Sequence, residues 1–313
     1  MNFLEKACKN KTSNDDMALV VQGGGMRGVY SMSALSALEE LGMTNNFKYV
    51  AGSSAGAING AYFIANQAKS GVESYVNELS VSDFVSFFRI NKIVDVDFLV
   101  DWVVKNTIHL SISGVFNSKT ELEMSLTNSK TIQAKYLSTK TDEFDMHEAL
   151  RATMALPVLY DKEISVLGDT YIDGGISDYV PLQKAIDKGY KKIVVILTSE
   201  FKHRHDKFKF IIKLATLGKS KLLTDALLCE DERYNSVIDI IKSSHPDIEI
   251  ICIAPSDKKR LVGTTTTNQK KLLDCALMAR EDVYAAVNTQ IPKTENENFF
   301  DLWDSRASVL KNR

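Results

Sequence analysis

The sequence predicts an α/β protein with a mainly parallel central sheet. Short apolar runs of strand length recur along the chain, the first two are each followed at once by a helix-forming segment, and glycines stand at the strand-to-helix turns. A strand–helix–strand–helix alternation of this kind closes through right-handed crossovers, which lay the strands parallel.

The elements follow in order. MALVVQ (17–22) is a short buried strand, and MRGVYSMSALSALEELG (26–42) is the helix after it, closed by Gly42. FKYVAG (47–52) is the second strand and leads into SAGAINGAYFIANQAKSG (54–71), a helix closed by Gly71. Residues 72–110 read as helical and are rich in apolar and aromatic groups. TIQAKYLST (131–139) and EISVLGDTYIDGG (163–175) read as strands, the second with a turn at Gly168–Asp169. KKIVVILTS (191–199) and DIEIICIAP (247–255) are two more buried strands, separated by a long helical region. GTTTTNQ (263–269) reads as a small polar loop ahead of a helix, with no further role.

Composition narrows the function classes. Of 313 residues, 44% are hydrophobic and 25% charged, as in an ordinary globular protein. A formal net charge of −2 gives no global electrostatic case for binding nucleic acid. Cys8, Cys229, Cys252 and Cys275 are scattered, so free thiols in a reducing compartment are expected. The start, MNFLEKACKNKTSNDD, lacks the apolar core of a signal peptide, and no run of about 18 apolar residues occurs. A cytoplasmic protein without a membrane span is therefore expected.

Two glycine-rich turns carry the chemistry. In LVVQGGGMRGVY (19–30), Gly23-x-Gly25-x-x-Gly28 has the spacing of a dinucleotide fingerprint. Such a site also needs an acidic residue at the end of the next strand, for the ribose. Here that strand ends in Gly52, Ser53 and Ser54, and no Lys-Ser or Lys-Thr follows Gly28 to make a phosphate loop. The strand end instead fits G-x-S-x-G, as Gly52-Ser53-Ser54-Ala55-Gly56. Small residues two positions either side of a central serine permit a strained strand-to-helix turn that lifts its hydroxyl above the sheet. The helix that follows aims its dipole at that point, and the Ala55 N–H is free to donate. Ser53 has small neighbours too, but Ser54 has glycine on both sides and is the better nucleophile candidate. A serine nucleophile needs further oxyanion donors, which the bare amides of Gly24 and Gly25 supply from the neighbouring strand end.

The candidate base is Asp173 in TYIDGGISDYVPL (170–182), at a strand end ahead of Gly174 and Gly175. Together, GGGMRG (23–28), GSSAG (52–56), LRATMALPVLY (150–160) and GDTYIDGGISDYVP (168–181) resemble the patatin-like phospholipases, in that family's order and over residues 17–200. The resemblance implies a three-layer α/β/α fold and a Ser54–Asp173 dyad. It implies an oxyanion and substrate site in the loop Gly23, Gly24, Gly25, Met26, Arg27, Gly28 and at Ala55, with a lipid ester as substrate. No cofactor and no metal are implied. It divides the chain into an extension (1–16), a patatin-like catalytic core (17–200) and helices and a strand completing the same domain (201–313). Thr153 stands where the family often has a small serine, and Tyr179 where many members have Asn, in the wall beside Asp173. Arg27 matches the family's loop arginine, whose plainest role is to brace the loop by hydrogen bonds, with direct contact to a lipid phosphate as the other option.

Two other readings remain at this level. A Ser-His-Asp carboxylesterase would draw on His203, His205 or His245, which follow Asp173; two of these lie in the charged segment KHRHDK and the third precedes a proline. A regulatory or lipid-sensing protein of the same fold, with little turnover, has no need to retain Ser54, Asp173 and the glycine loop together. Residues 84–104, with Phe84, Phe87, Phe88, Phe98, Leu99 and Trp102, are expected to line an acyl trough, to form a lid over it, or to be ordinary helical core. Residues 202–221 carry seven Lys/Arg against one Asp, interleaved with apolar residues. A helix with one buried face is the leading expectation there, and peripheral contact with an anionic membrane surface the other. The sequence leaves the oligomeric state open.

Overall fold

Five consecutive apolar residues, all fully buried, make β1 (Met17–Val21), and the sheet is built outward from it. The computed structural model describes residues 1–10, 17–89, 91–204, 209–243 and 245–292. Part of the expected N-terminal extension (11–16), His205 with the basic residues to 208, and residues 293–313 of the expected C-terminal region lie outside the described residues.

In chain order the helices are α1 (Phe3–Asn10), α2 (Gly28–Glu40), α3 (Ala55–Ile64), α4 (Ala68–Glu73), α5 (Ile112–Asn117) and α6 (Met146–Thr153), followed by α7 (Leu182–Asp187), α8 (Lys209–Ala215), α9 (Lys221–Leu228), α10 (Glu230–Lys242) and α11 (Gln269–Ala286). Strand β1 pairs in parallel with β2 (Phe47–Ser53) on one side. Further strands are β3 (Glu121–Asn128), β4 (Ala134–Ser138), β5 (Ile164–Val166), β6 (Asp169–Asp173), β7 (Lys192–Ile196) and β8 (Glu249–Ile253). The order across the sheet is β5-β6-β3-β2-β1-β7-β8, with β4 also on β3. Strands β3, β2, β1, β7 and β8 run parallel, β4 and β6 pair antiparallel with β3, and β5 pairs antiparallel with β6. This is the mixed, mainly parallel α/β architecture expected.

Burial on both faces explains the unbroken apolar runs. Met17, Leu19 and Val21 join the core under α2, α3 and α11, whereas Ala18 and Val20 join the one that includes Leu182 of α7 and Ile238 of α10. The residues after 200 share these cores: Cys275, Met278 and Val283 pack in the first, and Phe3, Leu4 and Ala7 of α1 join them.

One strand was invisible to the apolar pattern. ELEMSLTN alternates apolar with polar residues, yet as β3 it is buried on both faces, so Glu123, Ser125 and Thr127 need internal partners. They find them: Tyr49 donates to Glu123, Ser125 Oγ to the Asp178 carbonyl at 3.2 Å, and Thr127 Oγ1 to the Asp173 carbonyl at 2.7 Å. Its register matters most. Ser125 pairs with Ser53 on one edge and Tyr136 on the other, and Leu126 pairs with Asp173 and Lys135. The ends of β2 and β6 therefore abut along a single edge of β3.

Other departures have local causes. The single helix expected over 54–71 breaks at Asn66, whose φ is +55°, into α3 and α4. Gly71 sits inside α4 rather than closing a helix; a Cβ there would lie 2.3 Å from Met32 Cε, so it is a packing glycine. Residues 72–110 are helical only in two wide-turn stretches, Ser74–Glu78 and Phe98–Thr107, with irregular chain and one Val85–Val94 bridge between. The strand expected over 131–139 begins at Ala134. Helix α8 buries none of its residues, so the expectation of one buried face fails there: Phe210, Ile211 and Leu214 are exposed. The four cysteines are free thiols. Among the described residues, no helix is long and apolar enough to cross a membrane.

Helix α11 lies along α2. Ser33 Oγ donates to the Ala276 carbonyl at 2.7 Å, Tyr30 to Asp282 at 2.7 Å, and the fully buried Arg280 pairs with Glu40 at 2.6 Å. Removing one partner of a buried pair takes that interaction from the other charge. Glu40→Ala is therefore expected to lose about 3 kcal/mol or more in a urea melt, and a loss under about 1 kcal/mol would show that the pair does not hold α11 to the sheet.

Candidate active site

The chain leaves β2 at Ser53 and turns into α3 through Ser54, at φ 52° and ψ −125°. A non-glycine residue held there is strained by roughly 1–3 kcal/mol and needs a surrounding structure that enforces it. Close backbone packing does so: a Cβ on Gly56 would lie 2.2 Å from the Val21 carbonyl oxygen, and one on Gly52 2.5 Å from the Gly56 carbonyl. The Ser54 N–H donates to Thr153 Oγ1 at 2.9 Å, and that hydroxyl donates to the Ser125 carbonyl at 2.7 Å.

The turn after β6 meets this elbow. Ser54 Oγ donates to Asp173 Oδ2 at 2.8 Å, and the other carboxylate oxygen accepts from the Gly175 N–H at 2.7 Å. Gly174 passes so close to β3 that a Cβ would lie 2.0 Å from the Ser125 oxygen. Asp173 is only 4% exposed. Burial pushes its pKa up to about 7, against the pull of the Ser54 and Gly175 hydrogen bonds, and Glu230 adds to the rise. Ser53, the other serine of the motif, is fully buried and its hydroxyl has no partner among the described residues.

The glycine loop arrives from the end of β1. Gly24 and Gly25 take φ values of +148° and +56°, which a side chain would resist. Gly23 lies against the elbow, where a Cβ would come within 2.8 Å of the Ser53 oxygen. Its carbonyl accepts from Thr198 Oγ1 at 2.6 Å. Arg27 braces the loop as expected: Nη2 donates to the Tyr179 hydroxyl at 2.8 Å and Nε to the Gly24 carbonyl at 3.5 Å.

The loop's residues do not contribute equally. The Met26 N–H donates to the Thr264 carbonyl at 2.9 Å, the Arg27 N–H to Gly24, and the Gly28 N–H to Gly25 and Met26. Met26 therefore offers a side chain to the cavity but no amide. Gly28 serves packing, since a Cβ would lie 2.3 Å from the Tyr75 hydroxyl. The Gly24, Gly25 and Ala55 amides have no acceptor among the described residues. These three are available to a developing negative charge.

Ser54 and Asp173 border two cavities. One, about 60 Å³, is walled by apolar side chains including Tyr75, Leu79, Phe84, Leu99 and Met154. The other, about 140 Å³, mixes apolar lining such as Leu156, Ile176 and Leu227 with Arg27, Tyr179, Glu230 and Arg233. Of the aromatic segment singled out in the sequence, Phe84 and Leu99 line the apolar cavity and Phe98 packs half-buried on the core, while Phe87, Phe88 and Trp102 are exposed. His203 bonds Asp239 at 2.7 Å and His245 the Ile240 carbonyl at 2.8 Å, so neither engages Ser54 or Asp173. Among the described residues no cluster of three His, Cys, Asp or Glu side chains suited to a metal ion is present.

Sequence reasoning missed three contributors. Thr264 comes from the GTTTTNQ segment, which reads as a plain polar loop, yet its carbonyl pins the Met26 amide and it borders both cavities. Thr153 and Thr198 hold the serine elbow and the glycine loop from other elements. A threonine carries no signal of its own; only the adjacency of chain segments reveals it.

Comparisons with known proteins follow this geometry. The patatin-like phospholipase family model matches residues 19–186. The chain is 29% identical over 249 residues to the uncharacterized protein YjjU of Escherichia coli K12, covering 76% of this chain and 68% of that one. VipD from Legionella pneumophila shares the fold, with a TM-score of 0.53 over 96% of this chain and 75% of its own, at 13% identity. Since the matched span takes in the glycine loop, the serine elbow and the Asp173 turn, and more than half the chain, the protein belongs to the patatin-like phospholipase family.

Proposed function

We propose that the protein is a serine acyl hydrolase for carboxylic esters of lipids, of the phospholipase or lysophospholipase type. The observation that carries this is Ser54 on a strained elbow, 2.8 Å from a buried carboxylate. Ser54 Oγ attacks the ester carbon while Asp173 takes its proton. The carbonyl oxygen becomes an oxyanion held by the Gly24, Gly25 and Ala55 amides at the N-terminus of α3, where each such donor is worth about 10²–10³ in rate. Asp173 then returns the proton to the leaving alcohol. It next takes a proton from water as the water oxygen attacks the acyl-Ser54 carbon, and returns it to Ser54 Oγ as the Oγ–acyl bond breaks, which releases the fatty acid and restores both residues.

An ordinary carboxylate is too weak a base for this work near neutral pH. Burial raises Asp173 to about 7, the range in which histidine serves other hydrolases, so a two-residue arrangement suffices. The acyl group enters the apolar cavity. At about 60 Å³ it is well below the roughly 150 Å³ that admits a benzene ring. In this conformation it takes a short acyl group, and a longer chain requires its walls to part.

A fluorophosphonate probe is expected to label Ser54, and the Ser54→Ala protein to stay unlabelled and inactive on a short nitrophenyl ester; labelling that persists would place the nucleophile elsewhere. Because Asp173 must be ionised to accept the proton, kcat/KM should fall about tenfold per pH unit below a midpoint near 7. A profile flat down to about pH 5 would remove Asp173 from the role of base.

The raised pKa also sets a stability balance. Asp173 holds its proton more tightly folded than unfolded, so folding is penalised as pH rises from about 4 towards 7, and the full penalty is present above 7. Asp173→Asn removes the ionisable group and cannot accept a proton. It is expected to abolish turnover and to stabilise the protein at pH 8 by on the order of 2–4 kcal/mol, with the gain fading towards pH 4. A destabilised Asn variant at pH 8 would show that the carboxylate is not held under strain.

A further inference from the structure

Beside Ser54 and Asp173, Arg27 and Arg233 border the second cavity and Arg204 lines an adjoining groove that Arg27 and Glu230 also border; two of these three guanidinium groups are accounted for. Arg27 is bound to Tyr179 and the glycine loop. Arg204 pairs with Glu230 at 3.2 Å, donates to Ser199 at 2.8 Å and stacks on Tyr234 and Tyr179. Arg233 is the third, and it borders the same cavity as Ser54 and Asp173.

Its environment is unbalanced. Among the described residues its one hydrogen bond runs from Nη2 to the Ala226 carbonyl at 2.8 Å, near the end of α9. Its Nε is buried without an acceptor, and no carboxylate forms an ion pair with it. Burial pulls its pKa down despite the nearby Glu230, so the neighbouring acidic groups do not offset its desolvation. A guanidinium stays protonated under these conditions, and a half-buried cation whose Nε lacks an acceptor is costly unless something meets it. Glu230 lies near enough to favour the charge but forms its ion pair with Arg204.

We propose that Arg233, with Arg27 beside it, forms a subsite for an anionic group of phosphate chemistry carried on the alcohol side of the substrate ester. The inference rests on the hydrolase reading and deepens it. The ester carbon sits at Ser54, where the two cavities meet. The acyl chain takes the apolar one, which leaves the alcohol portion facing the cations. A phosphate oxygen pair matches the planar fork of a guanidinium, and charge-assisted bonds of this kind are about twice as strong as neutral ones. The subsite selects esters bearing a net negative head group over neutral ones. Arg233 comes from α10, beyond the span matched by the family model.

The test compares lysophosphatidate with a monoacylglycerol of the same acyl chain. For wild type, Arg233→Met and Arg233→Lys, the quantity read is the ratio of the two kcat/KM values. The expected result is a ratio that falls by about tenfold or more in Arg233→Met and is partly restored by Lys. An unchanged ratio, including an equal loss on both esters, overturns the proposal, because a brace between α9 and α10 would not discriminate head groups. A second arm needs no turnover: inorganic phosphate at fixed ionic strength should raise the melting temperature of wild type and not of Arg233→Met. Equal shifts in the two proteins overturn the subsite. If wild type hydrolyses neither ester yet shows the phosphate shift that Arg233→Met lacks, the anion subsite stands and the hydrolase reading falls.

Discussion

The edge of β3 at Ser125 and Leu126 is the constraint on which the rest of this structure depends. Because β2 ends opposite Ser125 and β6 ends opposite Leu126, two strands far apart in sequence finish side by side. A slip of one residue in either pairing would turn Ser54 or Asp173 to the other side of the sheet. The Ser125 carbonyl adds to this: it accepts from Thr153, whose hydroxyl in turn holds the Ser54 amide, and it forbids any side chain on Gly174. One strand position thus governs both halves of the candidate dyad.

Around that edge the protein accepts local instability. Ser54 has a positive φ, Asp173 is a carboxylate buried almost completely, and Arg233 is a poorly satisfied cation. Each opposes folding on its own. They persist because the flanking parallel strands are buried on both faces and the helices seal both layers. Stability generated in the sheet sustains a site that is unfavourable in isolation, and in the proposed mechanism the same strain readies Ser54, Asp173 and Arg233 for charge that develops only with substrate present.

Legibility in the sequence tracked how local each signal was. The strand-to-helix turns, the glycine loop and the placing of Ser54 between Gly52 and Gly56 depend on residues within a few positions of each other, and could be read there. Strand β3 could not, since its polar alternation is that of a half-exposed or irregular segment and becomes a buried strand only when Tyr49, Thr153 and the Asp173 turn satisfy it. Thr264 was dismissed for the same reason: its carbonyl matters because the α11 approach loop happens to cross the glycine loop. In the opposite sense, α8 has an apolar pattern that nothing among the described residues buries.

By itself the sequence determined the α/β class, the parallel pairing of the first strands and the turns that present a serine and bare amides, because those follow from backbone sterics over a few residues. Only the tertiary structure decided which loop amides stay open, how the two cavities divide around Ser54, and that Asp173 titrates near neutrality. Hydrogen-bond availability and desolvation are properties of a site's surroundings, and those surroundings come from segments more than a hundred residues away along the chain, as the Ser54–Asp173 separation of 119 shows.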